Sequence, residues 1–252
     1  MNPTIISLEL KRLARDYVGL FFIAVLPAFM YVVFGAAQTF AQEDIGRGNV
    51  ALYIMISMAV YGAVTATVSV GGSSAVERMQ GWGRQLGLTP LRDASYVAAK
   101  SLVAMVVACI PIGLIYAIGS ATGAKGDAWV WLATAGITLF GACLFALYGL
   151  VFGLAFTSES AVGAASGSLV IFAFLGNIFI PLSGVMLTIA KFTPLYGIVS
   201  LARYPLTEGY SVDMDGNLSH EALWVPLVNV GVWTLILALL TVYLVRRGRD
   251  RQ

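Results

Sequence analysis

The chain has 252 residues, of which 59% are hydrophobic and only 11% are charged, and its mean hydropathy is +0.85. Ordinary soluble domains carry about 25% charged residues, so this composition excludes a water-soluble globular protein and indicates an integral membrane protein. The net charge of +2 is too small to indicate a nucleic-acid partner.

Six apolar segments are long enough, or nearly so, to cross about 30 Å of hydrocarbon as helices of roughly 20 residues. They are Val18 to Ala37, Val50 to Val70, Val97 to Gly119, Trp129 to Phe156, Ala161 to about Ile180, and Leu223 to Val245. The sequence therefore predicts an all-α membrane protein with six transmembrane helices in a single domain, residues 1–252. Cys109 and Cys143 fall inside these segments, where a thiol packs as a small hydrophobe, so no disulfide is expected.

The basic residues predict the orientation, because lysine and arginine are retained on the cytoplasmic side. With both termini inside, eleven basic residues lie on the inner face and four on the outer face. The outer four are Arg47, Lys125, Lys191 and Arg203. This imbalance predicts an N-in, C-in arrangement in the cell membrane.

Residues 1–17 are expected to form an amphipathic helix along the inner leaflet. Ile6, Leu10, Leu13 and Tyr17 fall on one helical face, and charged residues occupy much of the rest. The alternative is a basic leader without fixed structure.

The first two predicted spans carry residues that would suit a route for amphipathic molecules. Pro27 should make the first span irregular, and Tyr31 follows it. The second span contains Tyr53, Met55 and Tyr61. Residues at this helical spacing more often serve packing between helices, and a pathway is the alternative reading.

The fifth span is followed by an apolar stretch that is too broken for another crossing. Pro181, Gly184, Pro194, Gly197 and Pro205 interrupt it. We expect residues 181–206 to form an outer re-entrant pair of short helices, since irregular backbone in a membrane must be satisfied by protein or by a water-lined cavity.

Several kinds of chemistry have no counterpart in the sequence. No HExxH or GxSxG motif occurs, and no GxxxxGK[ST] loop is present to hold a nucleotide phosphate. None of the 15 basic and 13 acidic residues falls clearly inside a predicted span, whereas ion-coupled carriers usually keep a buried carboxylate there. We therefore expect no catalytic residues, no metal site and no cofactor in this chain, and an energy source on a separate subunit.

Residues 71–100 form the polar interval between the second and third spans, and they contain ERMQGWGRQLGLTP. This motif, together with NIFIPLSGVM and FTPLYGIVSLAR after the fifth span, resembles the membrane subunit of type-2 ATP-binding-cassette exporters. The resemblance covers the whole length of the chain. One departure is Gly176 followed by Asn177, where that family commonly has two glycines.

The resemblance implies partners and roles for particular residues. The chain would pair with a second permease chain and bind two cytoplasmic ATPase subunits, which carry ATP and magnesium. A coupling segment, residues 73–93, would contact them through Glu77, Arg78, Met79, Gly81, Trp82, Arg84, Leu86, Thr89 and Pro90. The outer gate would involve Phe179, Pro181 and Leu182, and the substrate pathway Tyr31, Tyr53, Met55, Phe172 and Asn177.

The function implied is ATP-driven export of hydrophobic or amphipathic molecules, such as a drug or antibiotic, by alternating access. The absence of charge within the spans favours such a cargo over a highly anionic polymer. A lipid, a membrane-active peptide or a glycan remains an alternative cargo, and a passive channel or an ion-coupled carrier is an alternative mechanism.

Overall fold

The computed structural model describes residues 11, 15–77, 93–156, 160–212 and 216–249. Within these ranges five helices are long and apolar enough to cross a membrane. Two further helices, bent by 96° at the break between them, bring the number to six if they count as one crossing. The predicted helical membrane protein is confirmed, while the number of crossings and the N-in, C-in orientation stay predictions.

The helices are α1 (Tyr17–Ala36), α2 (Val50–Glu77), α3 (Asp93–Ala121), α4 (Ala128–Ala155), α5 (Ser160–Leu175), α6 (Gly184–Ala190), α7 (Pro194–Thr207) and α8 (Trp224–Arg249). Strands β1 (Asp44–Ile45) and β2 (Gly48–Asn49) form one antiparallel pair, and β3 (Tyr210–Val212) and β4 (Leu218–His220) form another. We call the end of the bundle that carries both strand pairs the outer end, following the predicted orientation.

The first helix is irregular around its proline, as the sequence predicts. Phe21–Val25 and Val32–Ala36 are wider π turns on either side of an α-helical stretch that begins with Leu26 and Pro27. Proline has no N–H to donate, and π turns are a common way to absorb such a break. Pro27 is buried and packs close to Gly62 of α2.

Helix α2 is the centre of the bundle. It packs against α1, α3, α4, α5 and α7. Its sequence is rich in small residues, which allow neighbouring backbones to approach closely without a hydrophobic driving force between helices. A Cβ on Gly71 would overlap the carbonyl oxygen of Ala146, and one on Gly149 would overlap that of Val68. The backbones of α2 and α4 are therefore in direct contact at Ala146 and Gly149.

The inner end of α2 differs from the sequence prediction. The second span was expected to end at Val70, but α2 continues through Glu77. Gly71 and Gly72 are buried, and a Cβ on Gly72 would contact Val162 of α5. Small polar residues that look like an emerging loop in the sequence are therefore packed helix, because α4 and α5 cover them.

The outer connections are bound to one another. Asn49 is buried, and its side-chain amide donates to the carbonyl of Gly123 at 2.9 Å. Its side-chain oxygen accepts from the backbone N–H of Lys125, also at 2.9 Å. The backbone N–H of Arg47 donates to the carbonyl of Leu206 at 2.8 Å. Two outer connections and the end of α7, which are distant in sequence, thus form one layer over the outer end of α2.

Helices α5 to α7 form an interrupted path through the bundle. Helix α5 ends at Leu175, five residues before the predicted end at Ile180. Helix α7 packs against α2, α4, α5 and α8. The two short helices expected within residues 181–206 are present as α6 and α7. Their angle of 96° is compatible with either a broken crossing or a re-entrant pair.

The last helix, α8, lies at the edge of the bundle, where it contacts α4 and α7. Its side chains hold the corner between α6 and α7. The amide of Asn229 donates to the carbonyls of Lys191 at 2.7 Å and Thr193 at 3.1 Å, and the indole N–H of Trp233 donates to the carbonyl of Phe192 at 2.9 Å. These bonds tie α8 to the carbonyls of the three residues that connect α6 to α7.

Candidate transport site

The predicted coupling segment is described only at its beginning. Glu77 is the last residue of α2. The other residues predicted to contact an ATPase lie outside the described residues, namely Arg78, Met79, Gly81, Trp82, Arg84, Leu86, Thr89 and Pro90. Their role stays a prediction. What the structure adds is that the segment continues directly from the central helix of the bundle.

The break after α5 has a defined geometry. Asn177 adopts a left-handed backbone conformation with a φ of 60°. Its side-chain oxygen accepts the N–H of Leu182 at 3.0 Å. Asparagine tolerates this conformation better than most residues because its short polar side chain bonds locally. It therefore does here what a second glycine would do, and the bond to Leu182 closes the turn around Pro181.

The three predicted gate residues do not share one surface. The ring of Phe179 packs edge-on against Tyr61 of α2, with centroids 5.5 Å apart, and against Phe174 at 5.0 Å. Leu182 is buried with Tyr196 of α7, whereas Pro181 is exposed. Of the three, Phe179 is the one that closes the break against the central helix.

The depth of this contact follows from its position on α2. Tyr61 lies eleven residues from the outer start of the helix at Val50, which corresponds to about 16 Å along its axis. The break at Phe179 thus lies well inside the bundle, below the layer of outer connections.

The predicted pathway residues fall into separate groups. Tyr31 and Met55 lie at the outer end of α3: the Tyr31 hydroxyl is 3.1 Å from that of Thr122, and Met55 packs on Gly119. Both are fully buried. Both side chains belong to the packed core, and a role of either in a substrate pathway stays a prediction.

The other three predicted pathway residues lie in or next to α5 and α7. Phe172 packs against Tyr148 of α4 with centroids 5.9 Å apart, and Asn177 forms the break. Tyr53 faces α7, where its ring lies under a guanidinium group. That the five residues line one path stays a prediction.

The cation over Tyr53 is Arg203, which the sequence assigned to the outer face. It is only 5% exposed. Its Nε and Nη2 donate to the Ser57 hydroxyl at 2.9 and 2.6 Å, and its Cζ lies 4.1 Å from the centroid of the Tyr53 ring. No predicted span contains Arg203, but α7 turns the arginine inward onto α2, so a cation is buried in the bundle at this position.

A signal for this burial is present in the sequence. Leu195, Val199 and Leu206 are apolar at helical spacing, and all three are buried. Arg203 lies four residues after Val199, on the same face. The prediction of a re-entrant segment with Arg203 at the outer surface did not use this periodicity.

The socket for Arg203 carries no charge of its own. Ser57 donates its proton to the carbonyl of Tyr53 at 2.7 Å, which leaves its oxygen lone pairs for the guanidinium. Among the described residues, no carboxylate forms an ion pair with Arg203. Hydrogen bonds and the ring face thus offset the cost of burying this cation.

Two ion pairs lie at the outer surface. Arg47 pairs with Glu208, and its Nε lies 2.7 Å from that carboxylate. Lys191 pairs with Glu221 at 3.0 Å. His220 stacks on Tyr210 in the outer strand pair. No group of three or more potential metal ligands occurs in the described part of the chain.

A bacterial protein is similar in sequence to this chain over most of its length. It is "Putative transport permease YvfS" of Bacillus subtilis, which is 27% identical over 194 residues, or 75% of this chain and 78% of the relative. No family model matches the chain. The fold defines a multi-pass helical membrane protein, and the similarity is to a transport permease, which agrees with the resemblance carried by the motifs.

Proposed function

We propose that this chain is the permease subunit of an ATP-driven exporter in the cell membrane. It moves hydrophobic or amphipathic molecules from the cytoplasm or the inner leaflet to the outside. The observation that carries this proposal is the similarity to a transport permease over 75% of the chain, combined with a bundle of apolar helices. Separate ATPase subunits bind the coupling segment and hydrolyse ATP, and a second permease chain completes the transporter.

The position of α2 supports this arrangement. It runs without interruption for 28 residues, or about 42 Å, from the outer connections to the coupling segment. Because α2 contacts most of the other long helices, a force applied at its inner end reaches the whole bundle. The ATPases therefore need no contact with the pathway itself.

The buried Arg203 changes the argument about cargo. The sequence favoured an uncharged route, but one cation lies inside the outer half of the bundle. Because its donors are directed at Ser57 and Tyr53, it does not by itself point to an anionic cargo. Amphipathic molecules that enter from the membrane remain the best fit to a pathway otherwise built from apolar and hydroxyl side chains.

The test is co-purification followed by measurement of coupled activity. The tagged chain is extracted from its own cells in mild detergent, and ATP-binding-cassette subunits in the complex are identified by mass spectrometry. The complex is then reconstituted and its ATPase rate is screened for stimulation by hydrophobic and amphipathic compounds. We expect a bound ATPase and at least one stimulating compound.

A matched pair of variants sharpens this test. Trp82→Asp changes the predicted coupling segment, whereas Trp224→Asp changes an exposed tryptophan at the outer start of α8. We expect the first variant to lose the ATPase subunit and the second to retain it. Transport that continues without ATP and without any ATPase partner would reject the proposal in favour of a channel or an ion-coupled carrier.

A further inference from the structure

One face of α2, formed by Tyr53, Ser57 and Tyr61, makes two contacts with the segment from the break after α5 to the end of α7. These residues are spaced by four, so they share one helical face. At the outer contact, Arg203 of α7 sits on Tyr53 and Ser57. At the inner contact, Phe179 of the break packs on Tyr61. One face of the central helix therefore touches both α7 and the break.

Helix α7 connects the same two levels. Near its start, Leu195 packs against Gly176 at the beginning of the break, where a Cβ on the glycine would lie 3.2 Å from Cγ of the leucine. Leu195 is fully buried. Arg203 follows eight residues later, which is about 12 Å along the helix axis.

The spacing on α2 matches that on α7. Tyr53 and Tyr61 are also eight residues apart, or about 12 Å. At the outer level α7 contacts α2 directly, and at the inner level the break joins them, since Leu195 packs on Gly176 and Phe179 packs on Tyr61. A displacement of α7 at Arg203 is carried to Leu195 along continuous helix and reaches Phe179 through the short break.

We propose that Arg203 is a positioning residue for transport, which seats α7 on Tyr53 and Ser57 and thereby holds Phe179 closed against Tyr61. The relevance to transport rests on the proposed function, but the seating is a property of this chain alone. The socket is well suited to a contact that must open. A hydrogen bond and a cation–π contact each cost less to separate than a buried ion pair.

The experiment measures access to the break in the chain by itself. Ile178, which is buried beside Phe179 in the break, is replaced by cysteine in a background that carries Cys109→Ser and Cys143→Ser, and the protein is placed in lipid vesicles. The rate of modification by a membrane-impermeant maleimide is then compared between variants of Arg203. The thermal midpoint of each variant in detergent shows whether it is folded.

Arg203→Met is the decisive variant, because methionine fills a similar volume without the donors, and removing a buried cation also removes its desolvation cost. We expect the cysteine at 178 to react at least tenfold faster, with little change in the thermal midpoint. Arg203→Lys should give an intermediate rate, since lysine keeps the charge but loses the planar group.

Two controls isolate the socket. Arg47→Met removes a comparable charge from the exposed pair with Glu208 and should leave the labelling rate unchanged. Tyr53→Phe keeps the ring face and should also leave it unchanged, whereas Tyr53→Leu should raise it. Equal labelling rates for the folded Arg203→Met and Arg47→Met variants would overturn the proposal.

The result is separable from that of the co-purification experiment. Accelerated labelling without any ATPase partner would support the seating of α7 and reject the exporter. A bound ATPase with unchanged labelling would support the exporter and reject the role of Arg203. If Arg203→Met does not fold, the Tyr53→Leu and Tyr53→Phe pair decides the question with the arginine intact.

Discussion

Helices α2 and α8 are both long and apolar, yet they occupy opposite environments. Over their most apolar windows, 78% of α2 is buried inside the protein, compared with 11% of α8. Mean hydropathy runs the other way, at 1.7 for α2 and 2.2 for α8. Lipid chains are as apolar as leucine. Hydropathy therefore identifies a membrane helix but does not show whether that helix is surrounded by other helices or by lipid.

The difference between the two helices lies in residue size. Helix α2 has glycine, alanine, serine and threonine where neighbours approach, whereas the exposed side chains of α8 are largely leucine, valine and isoleucine. Small residues bring backbones into contact, and large ones cover the helix for lipid. The helix with the lower hydropathy is therefore the centre of the bundle.

Among substitutions that test this difference between α2 and α8, we expect the largest loss of stability at Gly71. Gly71→Leu places a side chain where even a Cβ would overlap the carbonyl oxygen of Ala146. We expect a loss of more than about 4 kcal/mol, and hence little folded protein. The measurement is the yield of monodisperse protein by size-exclusion chromatography.

Gly231→Leu in α8 is the matched control, because no atom lies within 4 Å of a Cβ at that position. Its yield should equal that of the unchanged protein. Similar yields from the two variants would show that α2 is not packed as described.

A medium effect is expected from removing the same side chain in each environment. Leu52 of α2 is fully buried, whereas Leu239 of α8 is 61% exposed. Leu52→Ala should cost about 2 to 5 kcal/mol through the cavity it leaves. Leu239→Ala should change the free energy of unfolding by less than about 0.5 kcal/mol. Denaturation by sodium dodecyl sulfate in mixed micelles measures both, and equal losses would contradict the assignment of core and periphery.

The smallest effect concerns the polar attachment of α8. Asn229→Ala removes two hydrogen bonds to the corner between α6 and α7, and we expect a loss of about 1 to 2 kcal/mol in the same assay. Thr234→Ala is the control, because its hydroxyl bonds only within α8. No difference between the two variants would mean that lipid contacts alone hold α8 in place.

Much of the helical framework follows from the sequence. Predicted and observed ends agree within one residue at the start of α2, the start and end of α4, and the start of α8. In each case a polar or aromatic residue marks the point where the apolar run begins or ends. The end of α2 was missed by seven residues because its last turns are glycine and serine, whose burial depends on α4 and α5.

The candidate site was less predictable. The irregular break after α5 follows from its prolines and glycines, but the inward direction of Arg203 depends on where α7 packs. The four-residue spacing from Val199 indicates which face of α7 carries Arg203. It does not indicate which helix packs against that face. The partner residues Tyr53 and Ser57 are 150 and 146 positions away in the chain, so the position of Arg203 cannot be read from local sequence.

That separation has a consequence for how the chain enters the membrane. Ser57 and Tyr53 leave the ribosome long before Arg203, so the neutral socket is already in the bilayer when the cation arrives. An arginine in the hydrocarbon costs about 2.5 to 3.5 kcal/mol during insertion, and the waiting socket offsets part of this cost. The hydrogen-bond acceptor on Ser57 is thus synthesised before the guanidinium, and α7 can insert against a surface that is already in place, before α8 follows.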